Sequence, residues 1–324
     1  MATILTGKQS YVNYGWETTY GSASSDIDKV FGDGCTIALS EKNDIKIVNA
    51  LGTRNATGTI AAGYEGTYTA NWVVGNCWWL HSLLGAAPTK TGVGPYVYTF
   101  TAANGGISND IASFSTEIFV DLDTEKKIQI LGCKINSLTL TCSLGDVVKA
   151  SADVTFKTLV MSSTAFSTPT YDAEVPFVSY MASLEIPNAT AVADVQNFEL
   201  TISNDLEPVK ALGSRLLTAL VPKTRKITGK FSAPFEDVTK LLDLFHGSAT
   251  GPSTAEPSIA TMELTISNGG ATTALRSLVI LLADVKFETH DTSFNVDEVM
   301  MEDISFVAQS ITSAIYTNNT SAEP

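Results

Sequence analysis

Three histidines, four cysteines and two fragments of ligand-binding motifs are the residues of this 324-residue chain whose types could do chemistry. His81 and His246 fall in stretches with helical periodicity and His290 in an alternating one. None stands in the spacing of a metal site or of a nucleophile with its base. Asp121, Asp123 and Glu125 begin like a calcium loop, but Lys126 stands where that loop needs glycine and Gly132 where it needs a bidentate glutamate. They read as a solvated turn. Gly229 and Lys230 begin like a phosphate loop, yet Phe231 follows where a magnesium-binding hydroxyl belongs. Cys35, Cys77, Cys133 and Cys142 form no CxxC pair and have no counterparts later in the chain, so they read as buried thiols. No catalytic, cofactor-binding or metal residue is assigned, and the chain is read as not an enzyme. An enzyme with a site of dispersed carboxylates ranks last among the functions considered.

The elements that would have to position any site come twice. Asn43, Asp44, Ile45, Val48, Ala50, Leu51, Gly52 and Arg54 recur 161 positions later as Asn204, Asp205, Leu206, Val209, Ala211, Leu212, Gly213 and Arg215. Gly66, Tyr68 and Ala70 are echoed by Gly229, Phe231 and Ala233, and Trp79, Leu80, Leu83 and Gly85 by Leu241, Leu242, Phe245 and Gly247. Ile135, Asp153, Val154 and Phe156 are echoed by Val285, Asp303, Ile304 and Phe306, with the stretch from Ala86 to Ser113 largely missing from the second copy. Collinear echoes of this length mean one structural unit built twice. A joining segment with Pro169 and Pro176 places the boundary, giving domains 1–172 and 173–324.

Each unit reads as strands. Phe198, Leu200 and Ile202 alternate with Glu199, Thr201 and Ser203, as a half-buried strand requires. Leu138, Leu140 and Cys142 lead through Gly145 and Asp146 into Ala150, Ala152, Val154 and Phe156, a long hairpin whose counterpart runs from Val285 to Phe306. Trp79, Leu80 and Leu83 before Gly85, and Val238, Leu241, Leu242 and Phe245 before Gly247, predict one short helix per unit. The arm with Tyr11, Tyr14, Trp16 and Tyr20 is too aromatic to be idle and is expected to dock on its own chain or a neighbour. The tail after Ser313 is expected to be mobile.

A net charge of −14 argues against a nucleic-acid grip, which needs clustered cations. No apolar run approaches the roughly 18 residues that cross a bilayer, and the first twenty residues lack the apolar stretch of a secretory signal, so no membrane partner is expected.

The arm Gly15-Trp16-Glu17-Thr18-Thr19-Tyr20-Gly21, the run Ala211-Leu212-Gly213-Ser214-Arg215 and the strand with Gly229-Lys230-Phe231 resemble the tail tube (major tail) proteins of long-tailed bacteriophages and related archaeal viruses. The resemblance implies a mainly β fold of two tandem β-sandwich or barrel domains, each with one short flanking helix. It also implies a virion tail protein, assembled in the host cytoplasm, that packs into stacked rings around a channel for the genome. Its expected partners are itself, other tail proteins at the tube ends and DNA in transit, with no cofactor. By the same resemblance, Asn43 to Gly58 and Asn204 to Val221 are the loops that reach the next ring, with Asn43, Asp44, Leu51, Gly52, Arg54, Asn204, Asp205, Leu212, Gly213 and Arg215 as the candidate contacts. Six single-domain subunits close such a ring, so a duplicated chain is expected to close as a trimer of near sixfold shape. The competing reading is a monomeric two-domain β-rich binding or adhesion protein, anchored by Trp16, Trp72, Trp78 and Trp79.

Overall fold

A computed structural model describes residues 10–103, 110–120, 126–162, 175–186, 192, 194–235, 245–248, 251–254, 257, 261–270, 275–293, 296 and 299–318. The calcium-like run Asp121 to Glu125, the domain boundary at 172/173 and the second helix candidate up to Leu244 lie outside these residues. The chain runs β1 (Ser10–Trp16), β2 (Asp33–Val48), β3 (Gly58–Val73), α1 (Leu80–Leu84), β4 (Thr89–Thr91), β5 (Tyr96–Phe100), β6 (Phe114–Val120), β7 (Lys126–Ser143), β8 (Lys149–Phe156) and β9 (Thr158–Ser162). It continues with β10 (Ala182–Glu185), β11 (Asn197–Ser203), β12 (Leu206–Lys210), β13 (Leu217–Pro222), β14 (Lys226–Pro234), β15 (Thr261–Ser267), β16 (Ser277–Ser293) and β17 (Met301–Asn318). The fold is mainly β, as expected.

The strands make two layers because β7, β16 and β17 are long enough to serve both. In one layer the order is β2-β3-β8-β7-β11-β14-β17-β16, all antiparallel. In the other, the first half of β7 pairs with β6 and β9, and β6 with β1. On the far side β16 takes β15, β15 takes β10, and the end of β17 takes β5. Backbone of positive φ marks the corner in β7 and in β16, at Gly132 (φ 68), beside a register shift in the pairing with β6, and at Asp284 (φ 50), between two register shifts in the pairing with β17.

Apolar side chains fill the space between the layers. Tyr68, Trp72, Phe156, Phe231 and Phe306 are fully buried, and α1 lays Leu80, Leu83 and Leu84 in the same core. Burying each such side chain is worth about 1.5–3 kcal/mol. α1 ends after a little more than one turn because Gly85, at φ 102, closes it with an N–H bond to His81 O. The Leu84 carbonyl then accepts from Ala103 N (2.7 Å) and from Arg225 Nη2 (3.2 Å), the latter from the second half of the chain.

Both halves contain the same close fit. Gly66 lies opposite Phe156 on the neighbouring strand, and Gly229 opposite Phe306. A Cβ on Gly66 would sit 2.1 Å from the Phe156 ring, and one on Gly229 2.3 Å from that of Phe306. Each glycine therefore supplies the space in which a cross-strand ring lies flat.

The extra stretch of the first half is a strap. β4 and β5 form a hairpin that lays β5 along the end of β17, and Trp78 packs edge-on against Tyr98 (4.7 Å) and Tyr316 (5.2 Å). The residues expected to be a mobile tail are corrected here up to Asn318. They are strand, held between β16 and β5, because Ala314, Tyr316 and Asn318 are buried there.

The aromatic arm docks on its own chain. Tyr14 packs against Phe31 (4.6 Å) and Phe114 (5.7 Å), Tyr11 stacks on Phe119 (5.2 Å), and Lys134 and Lys157 lie over the Tyr20 ring. Between them the Glu17 carboxylate accepts from Gly132 N, Ser115 Oγ and Gly21 N, each at 2.8 Å, tying the arm to the corner of β7. Trp16 covers His81 at 4.5 Å, and burial lowers that imidazole from 6.5 to about 4.

Two outcomes are expected. Gly66→Ala forces a methyl into the Phe156 ring and costs about 1–3 kcal/mol in urea unfolding, and Phe156→Leu in the same chain recovers part of that loss; additive losses would exclude the fit. His81 is neutral when folded and binds a proton more readily when unfolded, so its contribution is whole above pH 6.5 and lost as the pH falls toward 4. His81→Phe, which keeps a ring against Trp16, should remove roughly 2–3 kcal/mol of the stability difference between pH 7 and pH 4.

Candidate assembly surface

The strongest exposed apolar features are two hairpins. β2 and β3 run past the end of β8, which stops at Phe156 opposite Gly66, and carry Ile45, Ile47, Val48 and Ile60 into solvent. β12 and β13 form the second hairpin, with Val209 and Val221 exposed. Their tips have the same sequence pattern, Ala50-Leu51-Gly52-Thr53 and Ala211-Leu212-Gly213-Ser214. Gly52 (φ 90) and Gly213 (φ 86) supply the positive φ that the third position of such a turn needs. That turn pushes the preceding leucine outward. Leu51 and Leu212 are fully exposed, at 104% and 105%.

The polar residues expected beside the tips divide into different roles. Arg54 is exposed on the first tip, and Asp44 pairs with Lys46 (3.0 Å) on the flank of the same hairpin. Arg215, exposed beside the second tip, is also bonded within the chain: its Nη2 donates to Asn43 Oδ1 (2.9 Å), and its carbonyl accepts from Tyr64 N (3.0 Å). Lys210 pairs with Glu65 (2.7 Å), so the second hairpin leans on the first. Asn204 is not a surface residue. It is buried, donates from Nδ2 to Leu83 O (3.0 Å) and Ile135 O (3.1 Å), and accepts from Arg225 Nε (3.1 Å). Asp205, in the left-handed region at φ 47, turns the chain into β12 and faces Lys223 at 3.6 Å. The repeat in sequence could not separate these roles, because equal residues at equal spacing acquire different neighbours once one hairpin rests on the other.

At the other end of the same layer, where Lys149 pairs with Val73, the β7–β8 turn exposes Leu144 (70%) with Tyr180 (82%) nearby on the following segment. Beyond the last β16–β17 pair, Ser293 with Met301, Val296 and Val299 are also exposed. Apolar side chains thus lie bare at both ends of the strands.

The face of the layer turned away from the core is a carpet of hydroxyls. Thr69 and Ser137 both donate to Asp153, at 2.8 and 3.0 Å, and Ser232 donates to Asp303. Thr139 meets Thr201 at 3.0 Å, Thr289 meets Ser305 at 2.6 Å, and Lys230 pairs with Glu199 at 3.3 Å. A hollow of about 550 Å³ opens on this face between Thr141, Glu199, Lys230 and Asp303. Two of its carboxylates are matched, Glu199 by Lys230 and Asp303 by Ser232, and Lys230 is the cation of its lining. The signal was in the alternation: Thr139, Thr141 and Thr201 are the residues opposite in phase to Leu138, Leu140 and Leu200.

Among the described residues no group of three His, Cys, Asp or Glu side chains could hold a metal ion. His290 pairs with Glu302 (2.9 Å), His81 lies under Trp16 and His246 beside Phe245. Gly229 and Lys230 are in strand β14. All four cysteines are thiols, and burial pushes Cys35 up to about 12. Among the described residues no helix is long and apolar enough to cross a membrane.

Comparison with curated proteins returns no match. Comparison with protein families matches residues 7–308 to the family described as "Phage tail tube protein". That span contains both hairpins, the hydroxyl face, the arm and the strap. The chain belongs to the phage tail tube protein family and is a structural component of a virion tail.

Proposed function

We propose that this subunit stacks end to end in rings, three chains to a ring, around a channel through which DNA passes. The observation that carries the stacking is the pair of like tips: Leu51 and Leu212 stand bare on two hairpins, while Leu144, Tyr180, Val296 and Val299 stand bare at the opposite end of the strands. A contact between unlike ends of identical subunits does not close on itself, so it builds a filament. Ring joined to ring in this way buries both sets of apolar side chains, and the next tail proteins at either tube end would meet the set left over.

The count of three rests on the duplication, division of the chain near 172/173 included. Its support is the repeated Gly66–Phe156 and Gly229–Phe306 fit and the common strand order of the two halves, β2-β3-β8-β7 and β11-β14-β17-β16. Two such units per chain make three chains equivalent to six units. The strap formed by β4 and β5 belongs to the first half alone, which leaves the sixfold shape approximate.

The hydroxyl face is the wall we assign to the channel. Asp153 and Asp303 are hydrogen-bonded by Thr and Ser, and Lys230 faces Glu199. DNA gains affinity when clustered lysine and arginine displace its counterions, and this face offers no such exchange. The overall charge of −14 acts in the same direction.

Native mass spectrometry of the assembled protein should give rings of three chains; six chains, or a monomer at every concentration, would refute the reading. Leu51→Asp with Leu212→Asp should leave single rings in negative-stain micrographs and shorten tubes at least tenfold, with unchanged circular dichroism. Tubes of ordinary length from that variant would remove the stacking role.

A further inference from the structure

β17 changes neighbours partway along its length and leaves a gap where it does so. On one edge it pairs with β14 as far as Ala308, opposite Ile227, and with β5 from Ala314, opposite Phe100. Among the described residues no strand pairs with residues 309–313 on that edge. The other edge stays on β16, with Ser310 opposite Ala283 and Ile311 opposite Leu282. A hollow of about 670 Å³ opens beside the gap, between residues 309–311 on one side and residues 222–225 with Ala102 and Ala103 on the other. Gln309 and Ser310 are exposed in it.

Arg225, half-buried in the lining of this hollow, is a cation without an acid. Its Nε donates to Asn204 Oδ1 (3.1 Å), its Nη2 to Leu84 O (3.2 Å) and its Nη1 to Ala103 O (3.5 Å), all of them neutral acceptors. Among the described residues it makes no ion pair. Three bonds leave two of the five N–H donors of a guanidinium for a further acceptor. Burial without a compensating charge also lowers its pKa. Lys223, the other cation of the lining, already faces Asp205 at 3.6 Å and Glu207 at 3.7 Å. The unmatched charge in the hollow is therefore that of Arg225.

We infer that this gap takes a short, extended acidic peptide of a partner protein, whose backbone pairs with residues 309–313 of β17 and whose Glu or Asp carboxylate bonds to Arg225. An open strand edge binds main chain, and a guanidinium with two donors to spare recognises a carboxylate. Five residues of strand span roughly 16 Å. β14 and β5 close the gap at its two ends, so the segment that fits is of that length. A free anion would satisfy Arg225 but would leave the edge of β17 unpaired, which favours a peptide. Neither the hairpin tips nor the hydroxyl face takes part, so the inference stands or falls apart from the ring reading.

The test uses the full chain and a fluorescein-labelled pentapeptide, Thr-Val-Glu-Val-Thr, followed by fluorescence anisotropy. Its glutamine counterpart, Thr-Val-Gln-Val-Thr, should bind roughly tenfold more weakly, and so should a glutamate peptide with N-methylated valines. Arg225→Gln should bind the glutamate and glutamine peptides alike. Gln309→Glu, which adds a like charge at an exposed position, should weaken the glutamate peptide and keep the circular dichroism of the parent. Equal binding of the glutamate and glutamine peptides by the parent chain, or no effect of Gln309→Glu, would overturn the role of the carboxylate. Undiminished binding of the N-methylated peptide would overturn the strand pairing. No binding of the glutamate peptide, or its displacement by an equal concentration of sodium acetate, would overturn the peptide site.

Discussion

Seven residue pairs between β7 and β11 hold this molecule together as one body. The pairing puts Leu138, Leu140 and Cys142 beside Ile202, Leu200 and Phe198 in a common core, and it carries a single antiparallel layer from β2 to β16. Other links between the halves depend on it. Asn204 reaches Leu83 O and Ile135 O only because β11 has brought it beside β7, and Arg225 reaches Leu84 O for the same reason. Lys134, buried between Asp110 and the Leu220 carbonyl, and Arg276, with its guanidinium over Phe177 and its hydrogens on Gly75 O and Val175 O, close the junction from either side. A buried cation needs carbonyl or carboxylate partners at fixed places, so these residues fix register as well as contribute energy.

The local elements were legible in the sequence because each depends on near neighbours. The alternation at Phe198–Ser203, the Gly145-Asp146 corner and the Trp79–Gly85 helix are all periodicities of adjacent residues, and all three appear where the periodicity puts them. The pairing of β7 with β11 was not legible. It joins strands whose partners are chosen by layer geometry, and nothing in either alternating pattern names the other. The role of Asn204 was hidden for the same reason. In sequence it matches Asn43, but Asn43 lies on an open edge and Asn204 under the junction.

The strap shows how an insertion can be structural without adding a core of its own. Lys90 sits over the Tyr96 ring, Tyr98 and Phe100 are fully buried, and the hairpin's backbone completes a sheet edge that would otherwise be bare. A run rich in Gly, Thr and Pro reads as a loop when taken alone. Its order comes from Trp78, shortly before it in the chain, and from Tyr316, far from it in sequence.

The two hairpin tips are covalently joined by the chain that carries them, and this has a kinetic meaning. In the stacking proposed above, once Leu51 of one molecule has found its place, Leu212 of the same molecule no longer searches the bulk solution. Its encounter becomes intramolecular, governed by the local concentration that a rigid body imposes. Lys210–Glu65 and Arg215–Asn43 hold the tips at a set spacing, so little orientational freedom remains to be lost at the second contact. In that proposed stacking, two weak anchors on one rigid subunit would act with the avidity of a much stronger one.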